Sequence, residues 1–435
     1  MALHSIDRIY RIRIMLLTFT LFLFCIISVI VVITYGTLFL FLHRLKQTEW
    51  TKPNVDYVPK TMVLFPLRGA DPSLPNSLEK VLTQDYPNYC VRFILDSADD
   101  SALPFVESAI EKWGGQRAEV KIIAEHFSTC SLKNCSLYHG IADLDSSFEA
   151  IVILDADANP PKDWLKRLVE PLADPRFPAA TGLRWYIPSQ TNAGSLVRYL
   201  WNAAAIVVQN LHRIPWAGSL ALRRDIFTES DLLERWKHSL STDGVIMPAV
   251  KQIKGNIAVV PSLFLVNRET CGLRSFHRWV KRQLFVNKLY TATWGMILGQ
   301  AIAITVPLFL LAGTFVAGLI WQEWQVVLWS TMSFVFYGAG MFGTLPIMEH
   351  AIRRIVRRHG EPVERWSFYR TVLTFAMIPV TQAVYSSALF WLHFMNQVEW
   401  RGVRYEIRKD KTIEMVEYIP YAQVKKEEAN KPTSL

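Results

Sequence analysis

The sequence predicts an α/β domain built on a mostly parallel sheet and held between membrane helices. Two observations predict it. Between residues 58 and 270, short apolar runs alternate with helical patterns, which implies parallel strands with helices on both faces. Outside that stretch, Ile14–Leu42, Gly299–Trp321, Val326–Ile347 and Thr371–Phe394 contain no Asp, Glu, Lys or Arg. Each reaches the roughly 20 residues that a helix needs to cross a bilayer core. Core helices of a soluble protein fit runs of this length poorly. The first run is too long for a signal-peptide core and has no evident small-residue cleavage site, so it reads as an anchor.

Within the soluble stretch, Met62–Leu67 reads as the first strand. Asp71 or Ser73 caps a helix through Leu82. Val91–Leu95 is a second strand, Leu103–Trp113 a helix, Val120–Ala124 a third strand and Ile151–Leu154 a fourth. Asp163–Leu172 is helical after Pro160-Pro161, and Gly194–Leu211 is an apolar helix too polar for a comfortable span. That last helix lies either against the domain or in the membrane interface.

In parallel sheets, ligands bind beyond the carboxyl ends of the strands. Asp96 follows the second strand, and Asp155 and Asp157 follow the fourth, so all three share one rim. Two carboxylates one residue apart suit a divalent cation gripping a diphosphate, because hard oxygen ligands suit such cations. The bland alternative is a solvated loop or a helix N-cap.

The formal charge of +9 is concentrated beside the hydrophobic runs. Arg274, Arg278, Lys281, Arg282 and Lys288 occur without an acid between them, Arg353–Arg370 is Arg-rich, and Arg8, Arg11 and Arg13 precede the first run. Such residues read as contacts with anionic headgroups on the cytoplasmic face. Nucleic acid is excluded as a partner, because no soluble module pairs this charge with stacking aromatics. Five cysteines are spread thinly, and Cys130 with Cys135 lacks the further ligands of a zinc site, so reduced thiols are expected.

The expected divisions are a basic segment and anchor over 1–57 (span about 14–42) and a catalytic domain over 58–270. A basic interfacial collar follows over 271–298. A membrane region of three hydrophobic segments covers 299–394, and a basic tail covers 395–435, frayed from Lys425.

Pro66-Leu67-Arg68-Gly69-Ala70-Asp71-Pro72 ends the first strand, and Gln84-Asp85-Tyr86-Pro87 follows. A glycine at a strand end, here Gly69, lets a nucleotide approach the backbone. Together with Asp155-Ala156-Asp157, these motifs resemble family-2 glycosyltransferases, most closely the ceramide glucosyltransferase branch. The resemblance covers roughly residues 60–300. It implies a GT-A fold, Rossmann-like with a mostly parallel sheet, that spends UDP-sugar with Mn²⁺ or Mg²⁺ bound at Asp157 and Asp155. Asp96, with Asp99 as the alternative, would meet the uridine. Asp155 and Lys133 would also belong to the donor site.

Asp243, in Ser241-Thr242-Asp243-Gly244, maps onto the family's general base, although the family usually has Glu before it and this chain has Thr242. The structural alternative is an N-cap for a helix through Val250. Ser275-Phe276-His277-Arg278-Trp279 maps onto a Gln/Arg-x-x-Arg-Trp motif whose first position is lost, with Arg274 one place early. There Arg278 would bind the diphosphate and Trp279 would wall the acceptor pocket. Gly218-Ser219-Leu220 resembles the family's sugar-pocket segment, and a tight turn is the plain reading.

The function expected is transfer of a sugar, glucose by resemblance, onto a lipid hydroxyl at the cytoplasmic leaflet by a multi-pass membrane enzyme. Ceramide is the first acceptor, with diacylglycerol and other lipid alcohols as rivals. A processive polysaccharide synthase needs a translocation channel and the intact motif that Ser275 breaks. A transporter or scaffold fits poorly with spans lacking any Asp, Glu, Lys or Arg. The tail's side of the membrane stays open. Three full crossings put it opposite the catalytic domain, whereas the charge of Arg401 and Arg404, or a re-entrant break at Pro379, puts it on the same side.

Overall fold

The computed structural model describes residues 2–47, 57–363, 367–421 and 423. Arg365 and the residues from Lys425 on, expected to be frayed, lie outside the described residues. Seven strands form the central sheet: β1 (Thr61–Leu67), β2 (Tyr89–Leu95), β3 (Ala118–Ile122), β4 (Ala150–Leu154), β5 (Ala179–Tyr186), β6 (Ser219–Arg223) and β7 (Ile257–Asn267). Their order is β3-β2-β1-β4-β6-β5-β7. All neighbours run parallel except β6, which is antiparallel to β4 and β5. This is the mostly parallel α/β sheet expected of a GT-A domain.

The four strands read from sequence are β1 to β4. Three more were not read: β5 carries Arg184 among its apolar residues, β6 has only three apolar residues between Ser219 and Arg223, and β7 is interrupted by Pro261.

Before the sheet runs α1 (Ala2–Arg44). Within the domain come α2 (Leu74–Leu82), α3 (Leu103–Ala109), α4 (Leu132–Ala142), α5 (Trp164–Val169), α6 (Ala193–His212), α7 (Ile226–Glu229), α8 (Leu232–Lys237) and α9 (Ile246–Gln252). Side chains alternate across a strand. Val63, Phe65 and Leu67 of β1 therefore pack with α2, α3 and α5, while Met62 and Leu64 face α4, α8 and α9. After the domain come α10 (Leu273–Tyr290), α11 (Trp294–Ile320), α12 (Trp324–Arg358), α13 (Phe368–Ala376) and α14 (Ile378–Trp391). The polar α6 is buried against the domain and the membrane helices alike, packing β5, α1, α10 and α14.

Four helical stretches, Tyr10–Arg44, Trp294–Ile320, Trp324–Arg358 and Phe368–Phe394, are long and apolar enough to cross a membrane. The fourth is broken at Met377, ahead of Pro379. Both of its ends are tied to the α/β domain. Before it, Glu361 pairs with Lys80 at 2.6 Å and with Arg268 at 3.0 Å. After it, Arg401 pairs with Asp71.

The segment after 395 is more than a tail. β8 (Gln397–Trp400), β9 (Val403–Ile407) and β10 (Ile413–Tyr418) form an antiparallel sheet. It docks on the α/β domain: Tyr405 Oη accepts from the Leu132 amide at 2.9 Å, and the Met415 amide donates to the Ser128 carbonyl at 2.6 Å. Arg13 of the first basic stretch pairs with Glu323 at 2.7 Å in the α11–α12 turn, at the end of α1 opposite the α/β domain.

Candidate active site

One cavity of about 1070 Å³ lies between the strand rim and the long apolar helices. Asp155 and Asp157 reach it because β4 ends at Leu154 and the chain turns there. Neither side chain caps a helix; α5 begins at Trp164, with Asp163 at its N-cap position. Lys133 reaches Asp155 Oδ1 from the first turn of α4. Ser131 starts that helix, its Oγ accepting from the Asn134 amide at 3.2 Å.

From the other side comes Arg184 of β5. It donates to Asp155 Oδ2 at 3.0 Å and to Asp157 Oδ1 at 3.1 Å. It also donates to Tyr186 Oη at 2.9 Å, and its guanidinium lies 4.5 Å from the Trp216 ring centroid. Asn267 of β7 donates to Asp157 Oδ2 at 3.3 Å. Burial pushes the Asp155 carboxyl up, but Lys133 and Arg184 outweigh it and hold it below its ordinary value.

The pair fits a divalent cation. Both residues offer hard oxygens to one cavity wall, and Arg184 spans them as a cation would. Among the described residues no third His, Cys, Asp or Glu joins them. A bound cation would take its remaining ligands from a diphosphate and from water.

Asp243 lines the same cavity. It does not cap α9; its Oδ1 accepts from the Ala217 amide at 2.6 Å. Its loop is fastened on two sides. Thr242 Oγ1 donates to Asn134 Oδ1 at 2.6 Å, and Gly244 lies against Tyr290 at the end of α10, where a Cβ would collide. Burial, with the Asp155 charge adding and Lys133 opposing, raises the Asp243 carboxyl to about 6. A carboxylate tuned so can take a proton near neutral pH.

Other expected residues are placed differently. Asp96 is buried, and its Oδ2 accepts from Arg68 and from Tyr418 Oη at 2.9 Å. Its Oδ1 is buried with no hydrogen-bond partner among the described residues, and burial raises its pKa despite Arg68. Asp99 is exposed, in a turn, while Asp100 accepts from the Gly69 amide at 2.9 Å on both oxygens. Gly69 has a φ of +76° and Tyr421 packs against it, so a Cβ there would meet that ring. None of Asp96, Asp99 and Gly69 lines the cavity, because the C-terminal sheet and Tyr421 cover that end.

Arg278 is exposed on α10 and does not line the cavity. Trp279, Arg282 and Gln283 of the same helix do, with Arg282 one turn beyond Arg278. Trp279 packs edge-on against Trp201 at 5.3 Å. Gly218 and Ser219 also lie outside the lining. Gly218 leaves room for the Trp216 ring, which lines the cavity, and Ser219 Oγ accepts from Trp164 Nε1 at 2.9 Å.

Sequence reasoning missed Arg184, Trp216, Arg401 and Tyr418. The signal for Arg184 was present: a charged residue inside the apolar run Leu183-Arg184-Trp185-Tyr186 is costly to bury unless paired.

Among solved structures, the chain is similar to a mannosyltransferase from Pyrobaculum calidifontis in complex with GDP-Man and Mn²⁺. Identity is 16%, covering 86% of this chain and 99% of that one, with a TM-score of 0.47. It is also similar to glucosyl-3-phosphoglycerate synthase from Mycobacterium tuberculosis in complex with Mn²⁺, UDP and glucosyl-3-phosphoglycerate. There identity is 16%, coverage 55% and 86%, and the TM-score 0.35. Residues 22–413 match the family Glycosyl transferase family 21. With nearly the whole chain inside that match, this protein belongs to glycosyl transferase family 21 and is a glycosyltransferase.

Proposed function

We propose that this enzyme moves a sugar from a UDP-sugar, glucose by family resemblance, onto the hydroxyl of a membrane lipid. The observation that carries the reading is the continuity of the cavity. Its lining includes Asp155, Asp157 and Asp243 at one end. It also includes Ile33 and Leu38 of α1, Met341 and Leu345 of α12, and Ile304 of α11. An apolar wall of this kind suits a hydrocarbon chain, and a polar end suits the reacting hydroxyl. Ceramide, diacylglycerol and other lipid alcohols all present that combination.

Asp155 and Asp157 would hold Mn²⁺ or Mg²⁺, which supplies positive charge to the departing diphosphate when bound. Asp243 accepts the proton of the acceptor hydroxyl as that oxygen attacks the anomeric carbon, and UDP leaves from the opposite face with inversion. The Ala217 amide fixes one carboxylate oxygen, leaving the other for the proton. Trp279 and Trp216 wall the acceptor and sugar space.

The enzyme is read as a multi-pass membrane protein with its catalytic domain on the cytoplasmic side. α1, α11 and α12 cross. α13 and α14 enter and leave on the catalytic side, a reading supported by the Glu361 and Arg401 pairs at either end. A break at Met377 ahead of Pro379 suits a re-entrant segment.

The test is a screen of purified protein with radiolabelled UDP-sugars against ceramide, diacylglycerol and sterol acceptors, with product mass measured. A single sugar added to a lipid supports the reading; long polysaccharide, or no turnover with any lipid, removes it.

A further inference from the structure

Asp155 and Asp157 are already neutralised by the protein itself. Two carboxylates face two cations, Arg184 bridging both and Lys133 on Asp155. Arg184 is well held in that place, since it also donates to Tyr186 Oη and lies over the Trp216 ring. A divalent cation arriving alone would have to displace the Arg184 Nη2 that bridges both carboxylates, and would leave that guanidinium without its anionic partners in a half-buried site. Such an uncompensated charge is costly.

A nucleoside diphosphate changes the balance. Its oxygens offer the displaced guanidinium and ammonium a new anionic partner, and a guanidinium fork matches phosphate geometry. Arg184 stands between the two carboxylates and lines the same cavity that a diphosphate would enter.

We propose that Arg184 holds the Asp155–Asp157 pair closed to free divalent cation and transfers to the diphosphate when donor enters, so that cation and nucleotide bind only together. This rests on reading Asp155 and Asp157 as the cation–diphosphate site. The consequence is a coupling between two ligands that reach one pair of carboxylates, and such coupling is reciprocal. It would keep the site from holding a cation with no donor to use it. Arg184 acts here as a positioning residue that exchanges one set of anions for another.

The experiment uses the full chain in lipid nanodiscs. Mn²⁺ binding is followed by loss of the electron paramagnetic resonance signal of free Mn²⁺, with and without UDP, and UDP binding by calorimetry. In the unaltered protein Mn²⁺ alone should bind weakly, and UDP should tighten it by about 10-fold or more, within the usual range for coupled ligands. In Arg184→Gln, Mn²⁺ alone should bind about 10-fold tighter, UDP at saturating Mn²⁺ about 10-fold weaker, and the coupling should shrink towards unity.

Arg184→Lys, which keeps the charge without the fork, should fall between the two and serves where Arg184→Gln does not fold. The proposal is overturned if folded Arg184 variants keep the unaltered Mn²⁺ affinity and coupling. If the unaltered protein binds no UDP even with Mn²⁺, the donor-site reading falls and takes the proposal with it. Intact UDP binding with unchanged coupling removes the Arg184 proposal alone.

Discussion

Tyr418 donates its hydroxyl hydrogen to Asp96 Oδ2 at 2.9 Å, joining the last strand of the C-terminal sheet to the end of β2. The same oxygen accepts from Arg68, whose other donors reach the carbonyls of Arg401 at 2.9 Å and Ile419 at 2.6 Å. His126 completes the contact, its ring 4.7 Å from that of Tyr418. The sheet formed by residues 397–418 is therefore latched to the rim where the uridine is expected.

Removing the Tyr418 hydroxyl leaves a buried carboxylate with one partner fewer. Tyr418→Phe should destabilise the protein by about 1–3 kcal/mol, the usual cost of stripping a bond from a buried polar group. Hydrogen exchange across residues 397–418 should rise more than exchange in β1. Equal exchange in the variant and the parent would show that the latch contributes nothing.

Asp243→Asn should lower kcat by about 10²–10⁴-fold while leaving the KM for UDP-sugar nearly unchanged, because the amide cannot take a proton. The pH profile follows from the raised carboxyl. Its active form is the carboxylate, and a pKa near 6 keeps the inactive acid form populated to higher pH than an ordinary Asp would. Activity should therefore fall about tenfold per unit below that pH and level off above it. A profile flat down to pH 5 would remove Asp243 as the base.

Gly218→Ala should act through Trp216. A Cβ at Gly218 would overlap the indole, which must then move off the Arg184 guanidinium. The expected result is a loss of about 1–3 kcal/mol of stability, as overpacking costs elsewhere. Turnover should fall more than UDP affinity does. Unaltered thermal unfolding would contradict the packing argument.

Chelation should abolish turnover, and Mn²⁺ or Mg²⁺ should restore it, because Asp155 and Asp157 alone give the diphosphate no positive partner. Asp157→Asn should not be rescued by added cation at concentrations that rescue the parent. Full activity in EDTA would mean that Arg184 and Lys133 suffice as the diphosphate's counter-charge.

Single cysteines placed across residues 396–410, in a background without the native thiols, should be modified from the catalytic-domain side of sealed vesicles. Protection from that side, with labelling from the other, would require Phe368–Phe394 to cross fully and would contradict the docked sheet.

The sequence determined the α/β class, the four hydrophobic stretches and the first four strands. These rest on local periodicity and on run length, which the chain carries without reference to distant residues. Asp155, Asp157 and Asp243 were legible too, because each lies where a motif or a strand end announces it, and all three line one cavity.

Other features could be decided only by tertiary structure. Arg184 lies 27 residues from Asp157 and pairs with it because β5 and β4 both flank β6. Arg278 and Arg282 lie one turn apart on the same helix, and how α10 docks decides that only Arg282 meets the cavity. The C-terminal strands are short and charged, and they become a sheet by packing Val403, Tyr405 and Ile413 onto the core beside α4. Long-range pairing of charges and burial of marginal strands are properties of the assembled chain, and no local pattern carries them.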